Sequence, residues 1–123
     1  MTIVVALATA AAGGTGALLR YGLGVVAARR RAPSWPWPTI VINVTGSFAL
    51  GLLTGLPLPD AGTWLAIVGT GALGGYTTFS TASVDVLRLL RRRAWWPVAA
   101  VAFGTGAVAL LSAVLGLMLG RSL

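Results

Sequence analysis

Charged side chains fall in clusters along this chain and leave residues 1–19, 32–59, 61–84 and 94–120 without any. At about 1.5 Å of rise per helical residue, each stretch can cross a hydrocarbon core about 30 Å thick, with tilt and flanking residues absorbing any shortfall. The pattern predicts an all-α membrane protein of four transmembrane helices, a single domain over residues 1–123. The first helix is expected from about Thr2 to Ala28, the second from Thr39 to Gly55, the third from Gly62 to Leu90 and the fourth from Trp96 to Leu119. RRRAPSWPWP, residues 29–38, forms the first loop, its prolines disfavouring regular helix and its tryptophans typical of a membrane interface. LPLPDAG turns the chain after the second helix, and RRRAWW separates the third from the fourth. No basic segment precedes the first apolar run, so that run is expected to be retained rather than cleaved as a secretory signal.

Two helices carry ladders of small residues: Ser47, Gly51 and Gly55 in the second, Ser112, Gly116 and Gly120 in the fourth. Such ladders let helix backbones approach in lipid, and these are expected to be packing seams. The third helix is expected to break near mid-membrane, at GGYTTFST, residues 74–81. A Gly-Gly pair followed by Thr-Thr holds a helix poorly, and irregular backbone at that depth persists only when buried in protein or facing a water-filled cavity. Freed carbonyls there need a partner. The electronegative C-terminal end of a half-helix suits a cation such as Na⁺, and a bulky residue at Gly74 is expected to prevent the break from forming. The plainer alternative is a glycine kink healed by threonine hydroxyls bonding back to the helix.

Composition narrows the chemistry. The chain contains no cysteine and no histidine, which removes thiolate sites, the commonest metal ligand and the commonest general base, so no enzymatic role is expected. A net charge of +7 would point to nucleic acid in a soluble protein. Here the arginines flank apolar spans, where they act as topology signals and contact lipid headgroups, and no nucleic-acid partner is expected.

Within the spans, polar residues are few. Arg20 lies nine residues before Arg29, about 13 Å along a helix, and is either a snorkelling arginine or a cation at the mouth of an aqueous cavity that attracts anions. Asn43 must find partners in the second span, either across a helix interface or as amide donors to an anion. The hydroxyls of Thr39, Thr77, Thr78, Ser80 and Thr81 can serve an anion in the same way. Asp85, three residues before Arg88, is expected to pair with it near the interface.

Three segments, GGTGALLRY, TIVINVTGSFALG and GALGGYTTFSTASVD, together resemble the signatures of the Fluc/CrcB fluoride-channel family, in order and over most of the chain. The resemblance implies antiparallel dimers with two fluoride pores, passive fluoride export across the cell's inner (plasma) membrane, and a structural Na⁺ at the dimer interface. By position, it implies main-chain carbonyls of Gly74 and Thr77 as the Na⁺ ligands, Asn43 as the pore asparagine with Thr39 beside it, and Arg20 as the vestibule arginine. Phe79 matches a pore phenylalanine whose ring edge, the positive end of the aromatic quadrupole, can face an anion without trapping it. Thr78 and Ser80 complete the implied pore set. The family's second phenylalanine is Ala82 here, and the fourth-helix track of aromatic and serines reads Phe103, Ala107 and Leu111.

Those departures keep a second function open, a non-conducting subunit that completes an active partner. A small multidrug-type exporter is a further alternative, but it needs a membrane-embedded carboxylate, and the first helix has none. The charge distribution also bears on partners. Arg29, Arg30, Arg31, Arg88, Arg91, Arg92 and Arg93 fall on one side of a four-span arrangement and Arg121 alone on the other. This bias either fixes one orientation and calls for an oppositely oriented homologue in an antiparallel dimer, or only slants the insertion ratio, so that a minority of inverted copies completes dimers by dual topology.

Overall fold

In lipid, a backbone without water must satisfy its own polar groups, and apolar segments of this length do so as helices. The computed structural model describes residues 2–30 and 35–123; Arg31 and the rest of the first loop's centre lie outside the described residues. Helix α1 spans Ile3–Arg30 and α2 spans Trp37–Gly55. Helix α3 covers residues 61–76, α4 covers Ser80–Arg91, and α5 covers Trp95–Ser122. Of these, α1, α2 and α5 are long and apolar enough to cross a membrane, so the chain is a multi-pass, all-α membrane protein. The third expected span exists as two pieces, α3 and α4, separated at residues 77–79.

Both helices with a proline near their start begin slightly earlier than expected. Pro38 sits in the first turn of α2 and Pro97 in the first turn of α5, where a missing amide hydrogen leaves no helical bond unmade. Along Leu65–Leu73, α3 is wound as a π-helix, and the Gly74 amide reaches back five residues to the Gly69 carbonyl. Helix α4 closes with the amides of Arg93 and Ala94 bonded to the carbonyls of Leu90 and Leu89. This closure places Arg93 in the left-handed region, at φ 53°, a position glycine usually takes.

Close approaches fix the directions of the helices. Thr9 of α1 lies against Gly71 of α3, and Gly13 against Gly75, so α1 and α3 run parallel. Val44 meets Ser112, Phe48 meets Gly116 and Leu52 meets Gly120, so α2 and α5 also run parallel. Helix α2 runs antiparallel to the broken pair, since Leu50 lies at Gly69, Asn43 at Thr78 and Thr39 at Asp85. The arginine-rich ends of α1 and α4 therefore share one end of the bundle.

The small-residue ladders of α2 and α5 form one seam, as expected. A Cβ built on Gly51 would overlap the Ala113 carbonyl, and one on Gly116 would overlap that of Phe48. A second seam joins α1 to α3, where side chains at Gly16 or Gly75 would strike the backbone of Ala72 or Gly13. Not even an alanine methyl fits at these contacts, and no large side chain among the described residues is fully buried. The helix seams are made of backbone against backbone, with the buried aliphatic side chains Ala27, Ile42, Leu89 and Val101 beside them.

Gly116→Val should force α2 and α5 apart, at a cost of about 3 kcal/mol. Gly62→Ala, where nothing lies within 4 Å, should be neutral or slightly stabilising. Thermal unfolding of the purified variants in detergent checks both; equal behaviour of the two would contradict the seam.

Candidate functional site

The break between α3 and α4 is held by a side chain from another helix. After Tyr76 the backbone turns extended at Thr77, with φ −77° and ψ 159°. The Thr77 amide and hydroxyl both donate to the Leu73 carbonyl, at 2.9 and 3.0 Å, which ends α3. One residue on, the Thr78 amide donates to Asn43 Oδ1 and Asn43 Nδ2 donates to the Thr78 carbonyl, each at 2.8 Å. The carboxamide thus pairs with both backbone groups of Thr78, as a neighbouring strand would.

This pairing diverts hydrogen bonds from the carbonyls before it. In a continuous helix the Thr78 amide would donate to the Gly74 carbonyl, four residues back. Asn43 takes that donor. The Thr81 amide, which would serve the Thr77 carbonyl, bonds instead to the Thr78 hydroxyl at 3.2 Å. The Gly75 carbonyl, which would take the Phe79 amide, accepts from Arg20 Nε at 3.2 Å. Gly74 and Thr77 are thus left with carbonyls lacking their helical donors, while Gly75 has a protein cation. Threonine back-bonding also occurs, at Thr77, but it ends α3 and does not heal the kink.

Side-chain space is refused at Gly75 and not at Gly74. A Cβ on Gly74 would meet only the Gly69 carbonyl, at 3.8 Å, whereas one on Gly75 would collide with Gly13 of α1. Within this chain an alanine-sized group fits at Gly74, and the close helix packing that demands glycine lies one residue later, at Gly75.

A cleft of about 680 Å³ opens between α2, the break, α4 and α5. Asn43, Thr39, Gly74, Thr77, Thr78 and Phe79 all line it, which gathers most of the predicted site. Arg20 and Ser80 are not in its lining: Arg20 is drawn to Gly75 on the α1 side, and the Ser80 hydroxyl lies 3.3 Å from that of Thr78. Thr39 is buried and donates to Asp85 Oδ2 at 2.8 Å, while Asp85 Oδ1 lies 3.8 Å from Arg88, the ion pair the spacing predicted. Phe79 stands 88% exposed at the cleft's rim.

Residues 7–117 match the family described as "CrcB-like protein, Camphor Resistance (CrcB)". The chain belongs to the CrcB family. It is 48% identical to "Fluoride-specific ion channel FluC 1" of Leifsonia xyli subsp. xyli over 125 residues, covering 98% of this chain and 89% of the relative. It is 41% identical to "Fluoride-specific ion channel FluC" of Phenylobacterium zucineum over 119 residues, 94% of each chain. A "Fluoride-specific ion channel FluC 1" of Listeria monocytogenes is 40% identical over 105 residues, covering 85% of this chain and 87% of its own. CrcB proteins are ion channels, not enzymes.

In this CrcB chain, Ala82, the departure from the family's second phenylalanine noted in the sequence, lines the cleft, and α5 contributes Thr105, Gly106 and Ala109 among others. The register Phe103, Ala107 and Leu111 lies elsewhere on α5, with Phe103 80% exposed. Ser112 is used in packing, its hydroxyl donating to the Val44 carbonyl at 2.8 Å. Sequence reasoning missed the Thr45 hydroxyl 3.0 Å from the Tyr76 hydroxyl and the Arg20–Gly75 bond. One signal was present: Gly46, a helical turn from Asn43, leaves room for Tyr76 and Thr77 beside it.

Asn43→Ala leaves two backbone groups of Thr78 unpaired and should cost about 2–3 kcal/mol, against about 1 kcal/mol for Thr45→Ala, which removes a hydroxyl that meets Tyr76 and bonds back to the Val41 and Ile42 carbonyls of its own helix. Thermal unfolding by circular dichroism reads the difference; equal losses would mean Asn43 does not hold the break.

Proposed function

We propose that this chain is a fluoride channel subunit, exporting fluoride passively through a path along the cleft. The carrying observation is the gathering of Asn43, Thr39, Thr78 and Phe79 on one cleft of a protein whose relatives are named fluoride-specific ion channels. In this reading α3, the break and α4 together make the third of four transmembrane spans, and the protein resides in the cell's inner (plasma) membrane. Fluoride sheds part of its hydration shell only where donors replace it. Asn43 uses one amide hydrogen on Thr78 and keeps another, and the hydroxyls of Thr78, Ser80 and Thr81 form a cluster beside it. The exposed edge of Phe79 offers a weak positive face that lets the ion leave again. Arg20, beside Gly75, adds long-range attraction for anions near the vestibule.

The Gly74 and Thr77 carbonyls, deprived of helical donors, fit a structural Na⁺, with a second subunit contributing the same pair. When bound, the ion supplies a positive charge that satisfies these oxygens and ties the two breaks together. An antiparallel dimer then carries the pores. The common end of α1 and α4 favours the cytoplasm by its arginines, which supports an oppositely oriented homologue as the partner. A second reading, a non-conducting subunit of such a pair, is favoured by Ala82 and by the weakly polar cleft face of α5. The exporter alternative loses ground, because Asp85 is engaged with Thr39 and Arg88.

Fluoride efflux from liposomes holding this chain alone should be measurable, and Asn43→Asp should abolish it while Asn43→Ser retains a fraction. The aspartate turns an acceptor toward the Thr78 carbonyl and sets a negative charge on the anion's path. No efflux from the correctly assembled wild type would favour the non-conducting reading, and unchanged efflux in Asn43→Asp would remove Asn43 from the path. Removing Na⁺ and other small cations should weaken dimerisation, with Thr77→Ser behaving as wild type because the ligand is a main-chain oxygen; assembly indifferent to cations would contradict the site.

A further inference from the structure

The arginine-rich end of the bundle has almost no protein counter-charge. Arg29, Arg30, Arg88, Arg91, Arg92 and Arg93 gather there with one carboxylate, Asp85, which faces Arg88 and accepts from Thr39. Among the described residues, Arg29 and Arg30 have no ion pair. They are exposed on the last turn of α1, where the helix's own C-terminal carbonyls favour positive charge.

Beside Arg30 lies an apolar groove of about 220 Å³ between the end of α1 and the start of α2. Its floor is Ala27 and Ile42, only 6% and 5% exposed, its walls include Val26 and Val41, and Arg30 and Trp37 also line it. The large cleft, by contrast, has no arginine in its lining. An apolar slot with a guanidinium and an indole beside it, at an interfacial end rich in unmatched positive charge, has the chemistry of a phospholipid site. The guanidinium can grip a phosphate through two hydrogen bonds, the indole N–H can donate a third, and an acyl chain can fill the slot.

We propose that this groove binds an anionic glycerophospholipid, with the phosphate on Arg30 and one acyl chain between α1 and α2. The site is separate from the ion path and does not depend on whether this chain conducts. Its occupant would fix the α1–α2 corner to the leaflet on the arginine-rich side.

The test uses the full chain with Trp37 as its sole tryptophan, the other four changed to phenylalanine, reconstituted in phosphatidylcholine vesicles. Brominated phosphatidylglycerol or brominated phosphatidylcholine of the same acyl chains is added as a fluorescence quencher. Phosphatidylglycerol should be favoured about fivefold at Trp37. Arg30→Gln should bring the two lipids to parity, whereas Arg29→Gln, outside the groove, should retain most of the preference. Val26→Phe, which narrows the slot, should reduce quenching by either lipid. Equal quenching by the two lipids in the parent would overturn the proposal. So would equal losses in Arg29→Gln and Arg30→Gln, the mark of diffuse surface charge. Should the single-tryptophan chain fail to assemble, mass measurement of lipids retained by the wild type from an equimolar mixture reads the same preference, and its absence there refutes the site.

Discussion

Everything at the centre of this molecule depends on the two hydrogen bonds between Asn43 and the backbone of Thr78. A helix interrupted inside a membrane must find donors and acceptors that water would otherwise supply, each unmet group costing several kcal/mol in hydrocarbon. One carboxamide meets an amide and a carbonyl at once, and in doing so it withholds the Thr78 amide from Gly74. The same act that stabilises the irregular backbone creates the unpaired oxygen that makes it chemically interesting. Polar side chains elsewhere in the cleft are held in turn: Thr39 by Asp85, and Thr78 by its own neighbours.

The break can be so placed because the helices around it approach to backbone contact. Glycines at 13, 16, 71 and 75 seat α3 on α1, and glycines at 51, 55, 116 and 120 seat α5 on α2. With little hydrophobic gain available between helices in lipid, these seams rest on van der Waals contact over a long interface. They also leave the large side chains, Phe79 and Phe103 among them, facing outward.

Much of this was legible in the residues. Helix positions followed largely from charge-free stretches, because a charge in hydrocarbon is costly, although Arg20 falls inside α1. The break at residues 74–81 and the α2–α5 ladder followed from local composition, since Gly-Gly-x-Thr-Thr and small-xxx-small are statements about backbone. What did not follow was which helix meets which glycine. The need for glycine at 75, not 74, comes from Gly13 on another helix, and no window of sequence contains both. Arg20 read either as a snorkelling arginine or as a cation at a cavity mouth, and its bond to Gly75 was not legible because the partner is a main-chain carbonyl 55 residues away, a group every residue carries and none advertises. The cleft face of α5 was not legible for a related reason: α5 is largely apolar, and its π-wound turn at Ala100–Gly104 shifts the faces that an α-helical period would predict.

The most direct test of the account is amide hydrogen exchange at Thr78 in the assembled protein, read by mass spectrometry or NMR beside the amides of α3. If Asn43 holds the break, the Thr78 amide exchanges slowly in the wild type, and Asn43→Ala speeds it by at least tenfold while the amides of Gly69 and Gly71 in α3 stay protected. Slow exchange at Thr78 that survives Asn43→Ala would show that something other than this carboxamide secures the broken helix.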